Sequence, residues 1–368
     1  MMKKFVCFSV LTLLFCQVPV AAQVQTASRW LGGDISLLPS YEKVGTAYRD
    51  STGKVVKPLE LMKEQGWNAA RVRLFVDPQF APKQHQGEGV CQDLDYVIGL
   101  SKQVKEAGMA LMLDFHYSDT WADPGKQFMP KRWEEVAPEV LPDSLYEYTK
   151  QVLQRMVAED CTPEMIQIGN EITNGMMWPV GRVDPAGQDN YDVLARLLNG
   201  GARACREVCP QAQLIVHTER AGEWDKTKNY YQQMQRYEVD YDVIGLSYYP
   251  MWHERIPVLR QTLDSLAVLY PEKEVMIVET AAYYSHENDK WAKPDQYAEF
   301  YPITVEGQRR FTEELMAELR QHQNVTGVFW WFPEENEGST PVTNYWINRG
   351  LFDNRTGRAL PAFYAFKF

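Results

Sequence analysis

The chain has 368 residues, a formal net charge of −11 and many aromatic side chains, including 11 tryptophans and 20 tyrosines. The acidic charge argues against nucleic acid and against an anionic membrane surface as partners, and it suits an exported protein with a neutral ligand. The sequence contains no internal repeat, low-complexity tract or Pro/Ser-rich linker, so a single folded domain is expected.

The N-terminus has the features of a secretory signal peptide. Two lysines precede an apolar run at 5–18, and small residues follow just before Gln23. The apolar run is too short for a stable membrane span, and no other stretch approaches that length. We therefore predict a signal peptide at 1–22 and a domain at 23–368 that is exported to the periplasm, the cell surface or the extracellular space.

The cysteines place few constraints on the fold. Cys16 follows the bulky Phe15, which favours a soluble exported protein over a lipid-anchored one. Four cysteines remain after removal of the signal, and their spacing does not match a zinc site: Cys91, Cys161, Cys205 and Cys209. One disulfide involving Cys161 could form in an oxidising compartment, but the sequence does not define its connectivity.

Strand and helix patterns alternate along the rest of the chain. Eight apolar segments predict strands that are buried on both faces: 30–36, 69–76, 110–116, 165–171, 213–218, 242–248, 274–280 and 327–332. Amphipathic segments between them predict helices, among them 58–65, 94–107, 141–158, 191–208, 256–269 and 308–321. This succession predicts the α/β class and a single-domain (β/α)8 TIM barrel.

The loops of this barrel are unequal in length. The connections that leave strands include four long ones, at 117–141, 172–191, 281–306 and 333–350, whereas several connections that enter strands are short turns. In a barrel the C-terminal ends of all strands open on one face, so the long loops converge there and form a cleft. Residues that end strands on this face are the candidates for chemistry.

Two of the predicted strands end directly in a glutamate. The segment 166–169 is followed by Asn170 and Glu171, and the segment 275–278 runs into Glu279. A carboxylate at the end of a buried strand is costly to desolvate unless it has a partner or a chemical role. Each glutamate alone could cap a helix or pair with an arginine. Two of them at one cleft are what a two-carboxylate glycoside hydrolase needs.

Further polar side chains collect at the same strand ends. Arg71 and Arg73 point the same way because side chains alternate along a strand, and they could pair with the carboxylates. Asp114 lies two residues before His116, for which a structural role in the core and a role in ligand binding remain equal alternatives. A later strand ends at Tyr248. All of these side chains are expected to face the cleft.

Glycoside cleavage requires one carboxyl group that carries a proton and another that is ionised. We predict that Glu171 is the acid, because the charge of the second glutamate would raise its pKa. Glu279 is then the nucleophile, held ionised by a hydrogen bond from Tyr248 and by the charge of Arg71. Asn170 would hold the sugar hydroxyl next to the anomeric carbon.

Tryptophans are concentrated at or beyond the strand ends: Trp121, Trp133, Trp178, Trp252, Trp291, Trp330, Trp331 and Trp346. Flat aromatic rings pack on the apolar faces of sugars, although roughly half of these rings are expected only to fill loop cores. The residues predicted to bind substrate are Arg71, Asp114, His116, Trp121, Asn170, Trp178, Tyr248 and Trp330.

Together these segments resemble the endo-β-1,4-galactanases of glycoside hydrolase family 53. The matching blocks are LGGDIS (31–36), VRLFVDP (72–78), DFHYSD (114–119), WADP (121–124), QIGNEI (167–172), GLSYYP (245–250) and VET (278–280). They lie on six of the eight predicted strands. The pair Asn170-Glu171 is shared with a wider clan of retaining barrel glycosidases, whereas the block at 116–124 is more specific to the family.

The resemblance implies a retaining mechanism with Glu171 as acid/base and Glu279 as nucleophile. It also implies cleavage inside β-1,4-linked galactan, the side chain of pectic arabinogalactan. Some members of the family bind a structural calcium ion in the loop after the seventh strand. This chain keeps His286 and Asn288 there, but tyrosines and Ser285 stand where acidic ligands would be wanted. No metal or other cofactor is expected to be required, and whether a structural calcium ion binds here stays open.

Other functional classes fit the sequence less well. A metal-dependent barrel hydrolase would need a His-x-His pair on the first strand, which the predicted first strand lacks. A Schiff-base aldolase would need a lysine at a strand end, and none of the eight predicted strands supplies one. The remaining alternatives are a retaining clan member acting on mannan, xylan or glucan, and a barrel that binds glycan without cleaving it. We expect a monomer with β-1,4-galactan or galacto-oligosaccharides as substrate.

Overall fold

The structure of the protein, a computed structural model, describes residue 2 and residues 29–183, 189–289, 291–338, 341–343 and 345–368. The predicted signal peptide thus lies outside the described residues, apart from Met2. Within the described ranges, no helix combines the length and the apolar composition that crossing a membrane would require.

Eight parallel strands close into a barrel, in the order β1-β2-β3-β4-β7-β8-β9-β10 with β10 paired to β1. The strands in chain order are β1 (Trp30–Asp34), β2 (Ala69–Leu74), β3 (Ala110–Phe115), β4 (Met165–Ile168), β5 (Gly175–Met176), β6 (Gly181–Arg182), β7 (Gln213–Thr218), β8 (Val243–Tyr248), β9 (Glu274–Thr280) and β10 (Val325–Trp331). The short strands β5 and β6 form a separate antiparallel hairpin in the loop after β4. The predicted (β/α)8 barrel is confirmed.

Helices surround the barrel and connect its strands. They are α1 (Leu38–Lys43), α2 (Pro58–Glu64), α3 (Lys83–Gln86), α4 (Leu94–Glu106), α5 (Leu141–Ala158), α6 (Tyr191–Val208), α7 (Trp224–Arg236), α8 (Ile256–Leu269), α9 (Val305–Leu319) and α10 (Pro361–Ala365). The predicted ends of α5, α6 and α8 are confirmed. Helix α9 begins three residues before the predicted start because the side chain of Thr304 caps it, accepting a hydrogen bond from the backbone N–H of Gly307 at 3.0 Å.

The core has two layers. Most buried apolar side chains lie between the outer surface of the barrel and the helices. A smaller cluster fills the lower part of the barrel interior and consists of Ala69, Met112, Met165, Ile215, Val243, Met276, Val278 and Phe329. The interior is therefore packed with side chains, as expected for a barrel of eight strands.

The barrel interior changes from apolar to polar toward the C-terminal strand ends. Side chains two residues apart share one face of a strand, and the residues two positions after Ala69, Met112, Met165 and Ile215 are polar. These buried polar residues are Arg71, Asp114, Gln167 and His217. This polar layer forms the floor of the open face of the barrel, directly below the long loops.

Glu279 reaches this polar layer through an irregularity in β9. The pairing of β8 with β9 steps from Leu246 opposite Ile277 to Ser247 opposite Glu279, so β9 has one extra residue. Such a bulge breaks the alternation of side chains. As a result, Val278 belongs to the interior apolar cluster and the adjacent Glu279 contacts the interior Arg71.

Candidate active site

Arg71 lies at the centre of the polar layer and contacts three carboxylates. Its Nη1 atom is 2.7 Å from Asp34 Oδ2, and its Nη2 atom is 2.8 Å from Asp114 Oδ2 and 2.8 Å from Glu279 Oε1. Burial opposes the charge of Arg71, but the carboxylates outweigh it and raise the pKa of the guanidinium above its usual value. Arg71 is thus a fixed, fully buried cation beside Glu279.

Glu279 lies between this cation and a hydroxyl donor. The phenol of Tyr249 donates a hydrogen bond of 2.7 Å to Glu279 Oε2, while Oε1 faces Arg71. Burial raises the pKa of Glu279, and the two partners oppose that rise. Both contacts stabilise the charged form, so this carboxyl group is well placed to be ionised. The predicted contact with Arg71 is present.

Glu171 follows β4 at a sharp turn of the backbone. Gly169 (φ 94°) and Glu171 (φ 49°) both adopt left-handed conformations. That conformation is uncommon for a residue with a Cβ atom, and strained backbone of this kind is concentrated at functional sites. Strand β4 ends at Ile168, where this turn begins. The prediction that the strand extends to residue 171 is wrong.

The carboxyl group of Glu171 has a different environment from that of Glu279. Its Oε1 atom accepts a hydrogen bond of 2.7 Å from Ser247 Oγ, and among the described residues no cation lies within ion-pair distance of it. Burial raises the pKa of Glu171 well above its usual value, and the charges of Glu279 and Glu219 raise it further. Of the two glutamates, Glu171 is the one that its surroundings keep protonated.

A buried histidine connects Glu171 to the polar layer. His217 Nε2 is 2.8 Å from Ser247 Oγ, and His217 Nδ1 accepts a hydrogen bond of 3.3 Å from the backbone N–H of Glu171. Burial and the charge of Arg71 lower the pKa of His217 well below its usual value, so the ring is neutral. These contacts assign the ring proton to Nε2, which leaves the hydroxyl of Ser247 free to donate to Glu171.

A third carboxyl group lies close to Glu171. Glu219 follows β7, and its Oε2 atom accepts a hydrogen bond of 2.9 Å from Thr173 Oγ1. Arg220 Nε lies 2.8 Å from Glu219 Oε1. Burial nevertheless raises the pKa of Glu219 to about 7. Sequence reasoning missed both Glu219 and His217, although each is at or just beyond the end of a predicted strand.

Glu171, Glu219 and Glu279 line one cleft of about 420 Å³. Its wall contains the aromatic side chains Trp121, Tyr249, Trp252, Trp331 and Trp346 and the charged side chains Arg71, Arg73, Asp123, Lys126, Glu171, Glu219, Arg220, Glu223, Glu279 and Arg349. Carboxyl groups at the base, aromatic rings on the walls and an open mouth are features of sites that bind and cleave a sugar chain.

Five predicted substrate-binding residues lie at or directly beneath the cleft. Arg71, His116, Trp121 and Asn170 line it, whereas Asp114 is fully buried below them. Asn170 is held by Arg71, whose Nη2 donates to Asn170 Oδ1 at 2.8 Å. The Nδ2 atom of Asn170 donates to the backbone carbonyl of Ala122 at 2.9 Å.

Both ring nitrogens of His116 are engaged by the protein. Nε2 is 3.0 Å from Asp114 Oδ2, and Nδ1 accepts a hydrogen bond of 3.1 Å from the backbone N–H of Ala122. The ring also packs edge-on against Trp121 at 5.9 Å between centroids. The structure thus favours a role for His116 in orienting the loop that carries Trp121, rather than a direct hydrogen bond to a ligand.

Two predicted residues are wrong by one position. The hydroxyl of Tyr248 donates to the backbone carbonyl of Glu254, at 2.9 Å, so Tyr249 takes the place beside Glu279 that the sequence predicts for Tyr248. Likewise Trp330 is fully buried and its Nε1 donates to the carbonyl of Arg349, while Trp331 lines the cleft. In both strands the alternation of side chains turns the predicted residue outward, toward the helices.

Trp178 also lies outside the cleft. Its indole N–H donates to the carbonyl of Asn174 at 2.9 Å, and its ring lies 4.4 Å from the guanidinium of Arg182. It lines a separate depression that includes Trp133. Trp178 lies between the two strands of the β5–β6 hairpin, which folds this part of the loop back on itself.

In the described part of the loop after β9, two acidic side chains already have partners in the protein. The carboxylate of Glu287 pairs with Arg355, and Asp289 Oδ1 accepts a hydrogen bond of 2.7 Å from the backbone N–H of Trp291. Across the described ranges, no group of three or more His, Cys, Asp or Glu side chains could hold a metal ion. That no metal is required stays a prediction.

The four cysteines of the domain are free thiols, so the disulfide that the sequence allowed is not formed.

Replacing Arg71 with methionine is expected to lower the free energy of unfolding by about 3–5 kcal/mol. The buried carboxylates of Asp114 and Glu279 would lose their arginine partner, and Asp34 would keep one of its two arginines. The matched control is Arg196→Met, which removes an exposed arginine of α6 and should cost at most about 1 kcal/mol. Urea unfolding of both variants measures the difference. Equal stability of the two variants would contradict the role of Arg71 as the counter-ion of the polar layer.

Known proteins with the same features identify the family. A model described as Glycosyl hydrolase family 53 matches residues 30–366. A relative named probable arabinogalactan endo-beta-1,4-galactanase A, from Aspergillus terreus, is 33% identical, with 87% of this chain and 90% of that protein covered. The solved GH53 catalytic domain of Ignisphaera aggregans aligns with a TM-score of 0.83 at 29% identity, covering 92% and 95% of the two chains. A structure titled as one of two fungal beta-1,4-galactanases gives 0.78 at 28% identity, covering 92% and 99%. The chain belongs to glycoside hydrolase family 53.

Proposed function

We propose that the protein is a retaining endo-β-1,4-galactanase that hydrolyses β-1,4-galactosidic linkages within galactan and arabinogalactan. The observation that carries the mechanism is the unequal environment of two carboxyl groups in one cleft. Burial raises the pKa of both groups, but at Glu279 a cation and a phenol oppose that rise. Glu171 instead accepts from a serine hydroxyl, and its pKa is raised well above its usual value. The galactanase names of the relatives support the choice of substrate.

In the first step the carboxylate of Glu279 attacks the anomeric carbon of the sugar bound above it. The proton of Glu171 passes to the glycosidic oxygen as the bond to the leaving sugar breaks. The charge on Glu279 keeps that proton in place until it is needed, because like charges in a buried site disfavour a second ionisation. The product of this step is a glycosyl ester on Glu279.

In the second step a water molecule replaces the departed sugar. Esterification has removed the charge of Glu279, so the pKa of Glu171 falls and its carboxylate can accept a proton from that water. Attack of the water on the anomeric carbon releases Glu279 as a carboxylate and returns the proton to Glu171. Two inversions at the same carbon give a product with the original β configuration.

Sugar binding is assigned to side chains in the wall of the cleft. We propose that Asn170, oriented by Arg71, bonds the hydroxyl next to the anomeric carbon, where contacts strengthen in the transition state. Trp121 offers a flat ring for a sugar face. The enzyme is further proposed to be exported after cleavage at residue 22 and to act as a monomer.

The substrate is tested by measuring reducing ends released from four glycans at equal concentration: galactan, mannan, xylan and β-glucan. Galactan should be cleaved to internal fragments much faster than the others. Faster cleavage of mannan, xylan or glucan would assign the enzyme to a different glycan. Binding of galactan without any release of reducing ends would instead support a non-catalytic barrel.

The pH dependence should move in opposite directions in two variants. Ser247 stabilises the charged form of Glu171 by donating to it, so Ser247→Ala should raise the pKa of Glu171 further. The charge of Glu219 raises that pKa, so Glu219→Gln should lower it. Because Glu171 must be protonated to act, the alkaline limb of kcat/KM should shift to higher pH in the first variant and to lower pH in the second. Limbs that shift in the same direction would contradict the acid assignment.

A further inference from the structure

A buried arginine in the cleft wall has no counter-ion. Arg349 lies in the loop between β10 and α10, is 1% exposed and lines the cleft. Each of the other cations of the wall has a carboxylate within ion-pair distance: Arg71, Arg73, Lys126 and Arg220. In the described part of the chain Arg349 has none, which is unusual because a buried charge is normally paired.

Aromatic rings hold this cation in place. The guanidinium carbon lies 4.6 Å from the ring centroid of Trp331, 5.1 Å from Trp346 and 5.3 Å from Tyr283. Trp252 and Tyr249 lie at 5.8 and 6.0 Å. The negative faces of such rings attract a cation without bonding its N–H groups. The charge is therefore stabilised while its donors remain available.

The unused donors form one edge of the guanidinium. Arg349 Nε and Nη2 are buried and have no hydrogen-bond partner. Their N–H groups point in parallel and make a rigid fork that fits two neighbouring oxygen atoms. Buried donors are almost always satisfied in folded proteins, so a fork that stays empty beside a cleft indicates that a ligand supplies its acceptors.

Tyr249 lies between the fork of Arg349 and the nucleophile, Glu279. Tyr249 contacts both groups, since its ring packs near Arg349 and its hydroxyl bonds Glu279. Trp331 and Trp346 extend the same wall. A sugar that meets this fork is therefore at, or adjacent to, the residue whose anomeric carbon Glu279 attacks.

We propose that Arg349 is a substrate-binding residue that selects the sugar on the Glu279 side of the cleft by donating two parallel hydrogen bonds to a pair of adjacent oxygens. The pair is either two vicinal hydroxyls of a neutral galactose residue or the carboxylate of a galacturonic acid residue. This inference rests on the proposed action on galactan-type glycans. It adds a specificity determinant to the residues that carry out the chemistry.

The test compares wild type, Arg349→Gln, Arg349→Lys and the surface control Arg196→Gln on two substrates. One substrate is neutral β-1,4-galactan, and the other is the same galactan partly oxidised at C6 to galacturonic acid. Arg349→Gln should raise KM by about 10- to 100-fold on the substrate that uses the fork, because two charge-assisted hydrogen bonds are lost. Arg349→Lys keeps the charge but not the fork and should recover less than half of that loss on a logarithmic scale. The control should match wild type.

The pattern of losses identifies the acceptors. A loss on both substrates supports hydroxyl pairs, and a loss confined to the oxidised galactan supports a carboxylate. KM and kcat within twofold of wild type on both substrates, in a folded Arg349→Gln protein, would overturn the proposal. So would a failure of both variants to fold, which would assign Arg349 to holding the aromatic side chains together. If wild type cleaves another glycan instead of galactan, the proposed function fails, and the same variants test the fork on that glycan and its C6-oxidised form.

Discussion

Replacing Glu279 with alanine should reduce kcat on galactan by about 10⁴-fold or more, because the carboxylate that forms the glycosyl ester is removed. The fold should survive. Arg71 would keep Asp34 and Asp114 as partners, at 2.7 and 2.8 Å, so its charge remains compensated. Reducing-end assays on galactan measure the loss, and urea unfolding measures the stability.

The matched control for this variant is Glu313→Ala, which removes an exposed glutamate of α9 that pairs with Arg309. It should leave kcat unchanged. Glycan binding provides a second check, because the Glu279→Ala protein should still bind galacto-oligosaccharides. A folded Glu279→Ala protein with more than a few per cent of wild-type activity would show that the nucleophile lies elsewhere.

Replacing Glu171 with glutamine should produce the second large loss, about 10²- to 10⁴-fold in kcat on galactan. Glutamine keeps the size of the side chain and its contact with Ser247 but cannot give up a proton. The loss should be far smaller for formation of the glycosyl ester from an aryl β-galactoside with a nitrophenolate leaving group, because such a group departs without protonation. Burst kinetics separate formation of the glycosyl ester from its hydrolysis, so they measure the loss in the first step on each substrate.

The two substrates together decide the role of Glu171. An equal loss in the first step on galactan and on the activated galactoside would mean that Glu171 acts in binding or folding and not as the acid. If Glu171 first donates and then accepts a proton, the first step should be slowed on galactan alone. Hydrolysis of the glycosyl ester, which is the second step, should be slowed with both substrates.

Much of the fold could be predicted because of how barrel strands are buried. Strands covered on both faces are apolar at nearly every position, and all eight were recognised from that pattern. The polar residues Arg71 and Asp114 interrupt such strands and were correctly placed at the open end of the barrel. Helix α7 was not among the predicted segments. Its buried residues, Thr227, Tyr230, Tyr231 and Met234, are mostly aromatic or polar and resemble a solvated face.

The errors at the site arose from counting residues at strand ends. The strict alternation of side chains was available in the sequence, and an inward Ser247 implies an outward Tyr248 and an inward Tyr249. The same rule separates Trp330 from Trp331. Glu279 could not be placed in this way, because the bulge in β9 brings two successive residues into the barrel interior.

Other parts of the site depend on contacts between distant segments. The path from His217 through Ser247 to Glu171 joins β7, β8 and the turn after β4, and only their packing reveals it. Arg349 lies 70 positions after Glu279, in a loop with no strand pattern. Its significance rests on the aromatic rings around it and on the donors that they leave unpaired.

The most direct test of the account follows the anomeric configuration of the first products released from galactan by the wild-type enzyme, using proton NMR before mutarotation is complete. A double displacement at Glu279, with Glu171 as acid and then base, predicts that β-anomers of galacto-oligosaccharides appear first and that α-anomers grow in only by mutarotation. Initial release of α-anomers would mean that water attacks directly, and it would contradict the assignment of Glu279 as the nucleophile.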